Sequence, residues 1–217
     1  MSYGYLNNAI MICTIRNEIL AKIEDRASFL EYLIKEYPRL LEEWTEKNDK
    51  EFEKEAKEEA EGDYEVYSPI YNSFLSAFDD IENREDMFYK AMLLMTYSYY
   101  EGALAFFCKK KQTEDIVDAI CRTNHFELSE QARDAKFIVQ SDIRIIRNQL
   151  THNNIQAKGN KEALNRICKK WTEIHISNGE ITITGADFIL DALKKETLIL
   201  KELCEKLGYE HKKIGYK

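Results

Sequence analysis

A short polar string near residue 150 carries the residue types that RNA cleavage uses. Arg147 and His152 stand five positions apart, with Asn148 and Thr151 between them and Arg144 shortly before. Histidine exchanges a proton near neutral pH, which suits both removal of a 2′-hydroxyl proton and protonation of a leaving 5′-oxygen. Arginine offers a bidentate cation for the charge that develops on the phosphate. The string therefore holds groups that a metal-independent ribonuclease site could use, with attack by the 2′-hydroxyl leaving a 2′,3′-cyclic phosphate.

The same residues admit a purely structural interpretation. An arginine and a histidine at this spacing often occur together by chance. His152 would then cap the C-terminus of a helix, where the helix dipole favours a cation, and Arg147 would serve as a structural ion-pair partner. A single Arg/His pair is also sparse for one active site. The same helix contributed by two chains across a two-fold axis would supply two of each residue.

These residues are predicted to lie at the end of a helix that spans about 129–152. Arg144, Asn148 and His152 recur every four residues and line one polar face. Isoleucine and leucine residues recur beside them at helical spacing and form the stripe that faces the core. The polar string is thus expected to emerge from the last turns of a helix that is anchored in the protein interior.

Helical periodicity dominates the rest of the chain and predicts an all-α protein with a single domain over residues 1–217. The first of the long helices is expected to end at Pro38, since proline removes a backbone donor. The second is apolar on most faces and is predicted to be the most buried helix. The four long helices are predicted over about 5–37, 86–110, 129–152 and 187–207.

Two segments depart from the helical pattern. Residues 172–184 alternate in polarity around Asn178 and Gly179, which predicts a small β-hairpin. Residues 40–63 hold eleven acids and four lysines, and so carry seven of the eight excess negative charges. This acidic insertion is interpreted as a solvated, partly helical connector. The alternative is an acidic arm that docks a basic partner.

The composition excludes several classes of protein. A formal net charge of −8 is incompatible with a uniformly basic coat for nucleic acid, although it permits a local site. No apolar run is long enough to span a bilayer, and the start of the chain lacks a signal-peptide pattern. Five dispersed cysteines predict reduced thiols and a cytoplasmic protein. The histidine spacing gives no support for a metal site, so no metal or cofactor is expected.

The string Ile146-Arg147-Asn148-Gln149-Leu150-Thr151-His152 resembles the signature of the HEPN superfamily. In that signature an arginine, commonly followed by a polar residue, precedes a histidine by four to six positions at the end of a core helix. The predicted context is similar as well, because the string lies on the third of four long helices. Glu101 resembles the acidic residue that many members carry on the second core helix.

The resemblance implies a HEPN-like four-helix bundle, with the acidic insertion and the β-hairpin as elaborations. It also implies an endoribonuclease that acts as a homodimer with a composite cleft. Arg147 would stabilise the phosphate, and His152 would transfer protons. The implied substrate is RNA, and a prokaryotic antitoxin or defence-system protein is the implied partner, with no membrane involved. The supporting residues would be Asn148, which orients the site or the RNA, Glu101, which pairs with Arg147, and Arg144 and Thr151.

Two other functions stay open at this point. The chain could be a non-catalytic helical module that binds a partner protein, which the acidic insertion and the lack of a second motif favour. It could also be an RNA-binding protein with a degenerate site, in which Lys109, Lys110 and Lys111 contact phosphate. The products formed from RNA would separate these alternatives from catalysis.

Overall fold

The computed structural model describes residues 3–76, 81–108, 115–152, 158–177 and 180–208. Most of these residues are helical, so the predicted all-α class is confirmed, whereas the HEPN assignment stays a prediction. The helices are α1 (Tyr3–Glu59), α2 (Tyr64–Ser76), α3 (Ile81–Phe107), α4 (Ile116–Asn124), α5 (Glu130–Ile138), α6 (Arg144–His152), α7 (Lys158–Lys170) and α8 (Asp187–Lys206), and the strands are β1 (Ile174–Ser177) and β2 (Glu180–Ile183).

Helix α8 lies at the centre of the core and packs against α1, α3 and α5. Its buried residues recur at helical spacing and include Ile189, Leu193 and Leu200. Ile34 of α1 and Leu93 of α3 are fully buried in the same core. Each such side chain contributes about 1.5–3 kcal/mol when it leaves water, so α8 organises the helices that surround it.

The first long helix continues through Pro38, and the prediction that it ends there was wrong. Proline inside a helix costs about 3 kcal/mol, so packing on both sides of it must hold the helix together. Ile34 before the proline is fully buried in the core, and α2 packs against the helix after it. Arg39 also pairs with Glu36 across the proline at 2.8 Å, and with Glu43 beyond it. Further along, residues of the acidic insertion form i,i+4 pairs through Lys47, Lys50, Lys54 and Lys57.

Helix α2 folds back against the acidic half of α1. The Tyr71 hydroxyl donates to the Asp49 carboxylate at 2.7 Å, and Ala56 and Ala60 are buried. The helical part of the acidic insertion thus has a packed neighbour within its own chain.

The predicted helix over 129–152 is a continuous helical run made of α5, a π-helical turn at 139–143, and α6. A π turn accommodates one extra residue, which rotates the following helix by about 100°. Asp142 lies buried in this turn, and its carboxylate accepts bonds from Arg166 at 3.0 Å and Lys170 at 3.2 Å. Helix α7 thereby holds the turn that orients the polar string of α6.

Ser129 anchors the start of this run and supports a first prediction. Its Oγ accepts a bond from the Ala132 N–H at 3.2 Å, and its N–H and O–H each donate to the Glu202 carboxylate at 2.5 Å. We expect Ser129→Ala to lower the free energy of unfolding by about 1–2 kcal/mol in urea denaturation, because a helix cap is lost. Ser28→Ala, at an exposed position of α1, is the control. An equal loss in both variants would contradict the capping role.

The two strands form the hairpin that was predicted over 172–184. They are antiparallel, and Ile174 pairs with Ile183 while Ile176 pairs with Ile181. Ile174, Ile181 and Ile183 are buried, so this face of the hairpin covers the core. The predicted turn residues, 178–179, lie outside the described residues.

Helix α3 is not buried on most faces, and the prediction that it is the most buried helix was wrong. It packs against α8, α6 and α1 on one side. On the other side Met87, Met95 and Phe106 are 68%, 50% and 54% exposed. An apolar composition therefore did not mean that most faces of this helix are buried.

Within the described residues, the structure contains no helix with the length and apolar character needed to cross a membrane.

Candidate functional site

Arg147 extends from α6 toward α3, where three groups hold its guanidinium. One Nη donates to the Glu101 carboxylate at 2.8 Å, and the other donates to the Asn148 side-chain oxygen at 2.9 Å. The guanidinium carbon lies 5.2 Å from the centre of the Tyr97 ring, within range of a cation–π contact. We call these four residues the Arg147 cluster. The cluster joins α3 to α6 and contains the ion pair that was predicted between Arg147 and Glu101.

The cluster is partly open to solvent. The side chain of Arg147 is 24% exposed, and that of Glu101 is 45% exposed. The two hydrogen bonds engage two of the five N–H donors of the guanidinium, and two donors suffice for a bidentate contact with phosphate. The arrangement can therefore present a cation whose orientation is set before an anion arrives.

The other supporting residues on α6 take different places. Thr151 donates its hydroxyl back to the carbonyl oxygens of Arg147 at 3.0 Å and Asn148 at 3.2 Å. Its hydroxyl is thus engaged by the backbone of its own helix. Arg144 is exposed at the start of α6, and its charge only partly opposes the burial that raises the pKa of the nearby Tyr97 phenol. Its positive charge adds to that of Arg147 on this side of the molecule.

His152 is the last residue of α6, and its side chain lies outside the described part of the structure. In a regular helix, position 152 is about 7.5 Å along the axis and about 140° around it from position 147. The two positions thus lie on different sides of the helix. An RNA that contacts both must either wrap the end of α6 or meet α6 from two chains.

A buried carboxyl group lies close to the Arg147 cluster. Glu196 of α8 is 1% exposed, and neither of its carboxyl oxygens has a hydrogen-bond partner among the described residues. Burial raises the pKa of this carboxyl well above its usual range, and the negative charge of Glu101 raises it further. Burial also raises the pKa of Tyr97 to about 12, with Glu101 acting in the same direction. The ionised forms of both groups are therefore disfavoured in the fold.

Sequence reasoning did not single out Glu196 or Tyr97, although each left a signal. Glu196 interrupts the apolar stripe of α8 between Leu193 and Leu200. Tyr97 precedes Glu101 by one helical turn, which places both on one side of α3. The first signal was a charged residue within an apolar stripe. The second was an aromatic residue one helical turn from an acidic residue.

A wide cleft of about 1130 Å³ lies elsewhere, between α4 and α5, and no residue of the Arg147 cluster lines it. Lys136 on its wall pairs with Asp115 at 2.9 Å and with Asp118 at 2.5 Å, so its positive charge is taken up within the chain. Among the described residues, no group of three or more His, Cys, Asp or Glu side chains could hold a metal ion. Lys109, Lys110 and Lys111 lie outside those residues.

Comparisons with protein-family models, with curated proteins and with solved structures found no match for this chain. The candidate site therefore rests on the residues of the chain itself and on their geometry.

Proposed function

We propose that this protein is a metal-independent endoribonuclease whose centres use Arg147 and His152. The Arg147 cluster carries the proposal. It holds a partly exposed guanidinium between a carboxylate, an amide oxygen and an aromatic ring, on the helix that ends at His152. An oriented, accessible arginine and a histidine on the same helix are the groups that charge stabilisation and proton transfer at a phosphodiester require. The resemblance of the string to the HEPN signature agrees with this proposal.

The reaction uses the RNA's own 2′-hydroxyl as the nucleophile. An imidazole of His152 removes the hydroxyl proton while the 2′-oxygen forms a bond to phosphorus. The bond from phosphorus to the 5′-oxygen then breaks, and an imidazolium supplies the proton that this oxygen needs. Arg147 stabilises the added negative charge on the phosphoryl oxygens. The products are a 2′,3′-cyclic phosphate and a 5′-hydroxyl, and no metal ion takes part.

One base and one acid are needed, and one His152 can serve as both in turn, first as an imidazole and then as an imidazolium. A homodimer that brings two copies of α6 together would pair Arg147 of one chain with His152 of the other at each of two centres. We place this activity in the cytoplasm, in a prokaryotic toxin or defence effector that an antitoxin or another partner protein controls.

A second candidate function is a non-catalytic helical module that binds RNA or a partner protein. The ion pair itself favours it, because the Glu101 carboxylate neutralises much of the charge that Arg147 would offer to a phosphate. The two functions differ in their products, since only the ribonuclease generates cyclic phosphate ends.

Cleavage of total RNA by the purified protein in EDTA tests the proposal. We expect products with 2′,3′-cyclic phosphate ends, and we expect Arg147→Ala and His152→Ala each to reduce the rate by about 100-fold or more. Arg133→Ala and His175→Ala are the matched controls, since both residues are exposed and lie outside the cluster. No cleavage at any protein concentration, or cleavage that both Arg147→Ala and His152→Ala leave intact, would overturn the ribonuclease proposal.

A further inference from the structure

One face of α3 is exposed and carries no charge. In a chain with 32% charged residues, the seven exposed residues between positions 87 and 107 of this helix are all uncharged. Both charged residues of this stretch, Lys90 and Glu101, are only partly exposed and lie to one side of the face. The seven residues are Met87, Ala91, Met95, Ser98, Gly102, Ala105 and Phe106, and we call them the α3 face.

The α3 face forms a continuous strip. Its members recur at three- and four-residue intervals as far as Ala105, and Phe106 follows directly, so they fall within an arc of about 100° and extend for about 28 Å along the helix. Phe29 and Tyr32 of α1 are each 58% exposed, and they extend the apolar surface sideways. Between α1 and α3 runs a groove of about 580 Å³ that Phe29 and Met95 help to line. A surface of this size and composition is typical of an interaction site.

Gly102 gives an independent reason to expect a close neighbour on the α3 face. It lies inside a 27-residue helix, where glycine costs about 1 kcal/mol relative to alanine. A Cβ atom built at this position meets no described atom within 4 Å, so the packing of the chain itself does not require a glycine. Glycine in a helix permits another helix to approach the backbone closely.

We propose that the α3 face is the surface on which a second copy of this chain docks, with the two α3 helices antiparallel. The strip matches a second copy of itself in side-chain size when a two-fold axis runs perpendicular to α3 at the level midway between positions 96 and 97. Met95 then lies opposite Ser98 of the second copy, so a large side chain meets a small one. Ala91 lies opposite Gly102, which lets the backbones approach. Met87 lies opposite Phe106 at the ends of the strip.

The charges beside the strip fit the same pairing. Lys90 and Glu101 lie on one flank of α3. In this register Lys90 of each chain lies at nearly the same level as Glu101 of the other chain, within about 3 Å measured along the helix axis. Such flanking pairs of opposite charge set the orientation of helix pairs. Within each chain Lys90 pairs with Asp86 at 2.5 Å and Glu101 pairs with Arg147 at 2.8 Å, so the flank is close to neutral and an interchain contact would add to existing ion pairs. The uncharged strip itself brings no like charges together.

This dimer places both Arg147 clusters on the same side of the helix pair. The two Glu101 residues lie about 14 Å apart along the axis, and each pairs with Arg147 of its own chain. Docking on the α3 face does not depend on RNA, whereas a cleft shared by the two Arg147 clusters rests on the proposed ribonuclease function.

Sedimentation of the full-length chain at micromolar concentration, without RNA, tests the docking surface separately from cleavage. We expect the wild type to be a dimer, and we expect Met95→Glu and Gly102→Glu each to weaken dimerisation by at least about 100-fold. Phe137→Glu is the matched control, because Phe137 is 68% exposed on α5, away from the α3 face. Circular dichroism should show unchanged helicity in Gly102→Glu, since the position has room for a side chain.

Cysteine cross-linking tests the register. The Ala91→Cys/Gly102→Cys double variant should form an intermolecular disulfide, and neither single variant should do so, since like positions lie about 16 Å apart in the antiparallel pair. A monomeric wild type, a dimer that survives both glutamate variants, or cross-linking of Gly102→Cys alone would each overturn the proposal. If the dimer forms as described and RNA stays intact, only the proposed ribonuclease function fails.

Discussion

Replacing Glu196 with glutamine should stabilise the folded protein, and the gain should grow as the pH rises. The carboxyl group of Glu196 is 1% exposed, and neither oxygen has a hydrogen-bond partner among the described residues. An ionised carboxylate at this position would lose its hydration without compensation. Glutamine has nearly the same shape and no charge, so the substitution removes the unfavourable ionisation without opening a cavity.

The two protonation equilibria determine the sign of this effect. In the unfolded chain the carboxyl titrates near its ordinary pKa of 4.5, whereas burial first and Glu101 second raise the folded-state pKa well above it. The contribution of the neutral carboxyl to stability is complete below the unfolded pKa and is lost as the pH rises toward the folded pKa. In that window the wild type should lose about 1.4 kcal/mol per pH unit relative to Glu196→Gln.

Urea denaturation of both proteins, at pH values from about 5 to 8, measures the difference. Glu202→Gln on the same helix is the matched control, because its buried carboxylate accepts two bonds from Ser129. The same substitution there should destabilise the protein. A difference between Glu196→Gln and the wild type that stays constant over the whole pH range would contradict a neutral Glu196 in the fold.

The elements that the sequence predicted well depend on local chemistry. The hairpin follows from alternating residues around a turn dipeptide, and α8 follows from an apolar stripe near its predicted limits of 187–207. The helical run over 129–152 was predicted because its apolar and polar faces separate clearly. Within it, the ion pair of Arg147 with Glu101 came from the family resemblance rather than from spacing.

The predictions that were wrong depend on contacts between distant parts of the chain. Pro38 was expected to end the first helix, yet the buried Ile34 before it and packing against α2 after it keep one helix to Glu59. The composition of α3 could not reveal which of its apolar residues find neighbours. Periodicity alone likewise could not distinguish a buried Glu196 from an exposed one, since that depends on how α8 is surrounded.

Mixing the Arg147→Ala chain with the His152→Ala chain should restore RNA cleavage that neither variant shows alone. If each centre takes Arg147 from one chain and His152 from the other, a mixed dimer contains one intact centre and one that lacks both residues. Random exchange of equal amounts makes about half of the dimers mixed, so about a quarter of the wild-type activity should return. Each variant alone should retain about 1% or less.

The rescue should require the α3 face. With Gly102→Glu added to both chains, no mixed dimer should form and cleavage should stay at the level of the single variants, whereas Phe137→Glu in both chains should leave the rescue intact. A centre built within one chain would regain nothing on mixing, because every centre would still lack one residue. Rescue that persists in the Gly102→Glu background would instead place the shared cleft on another surface. Position 152 lies about 140° around α6 from position 147, so RNA must either wrap the end of α6 or meet α6 from two chains, and rescue on mixing is expected only for the second arrangement.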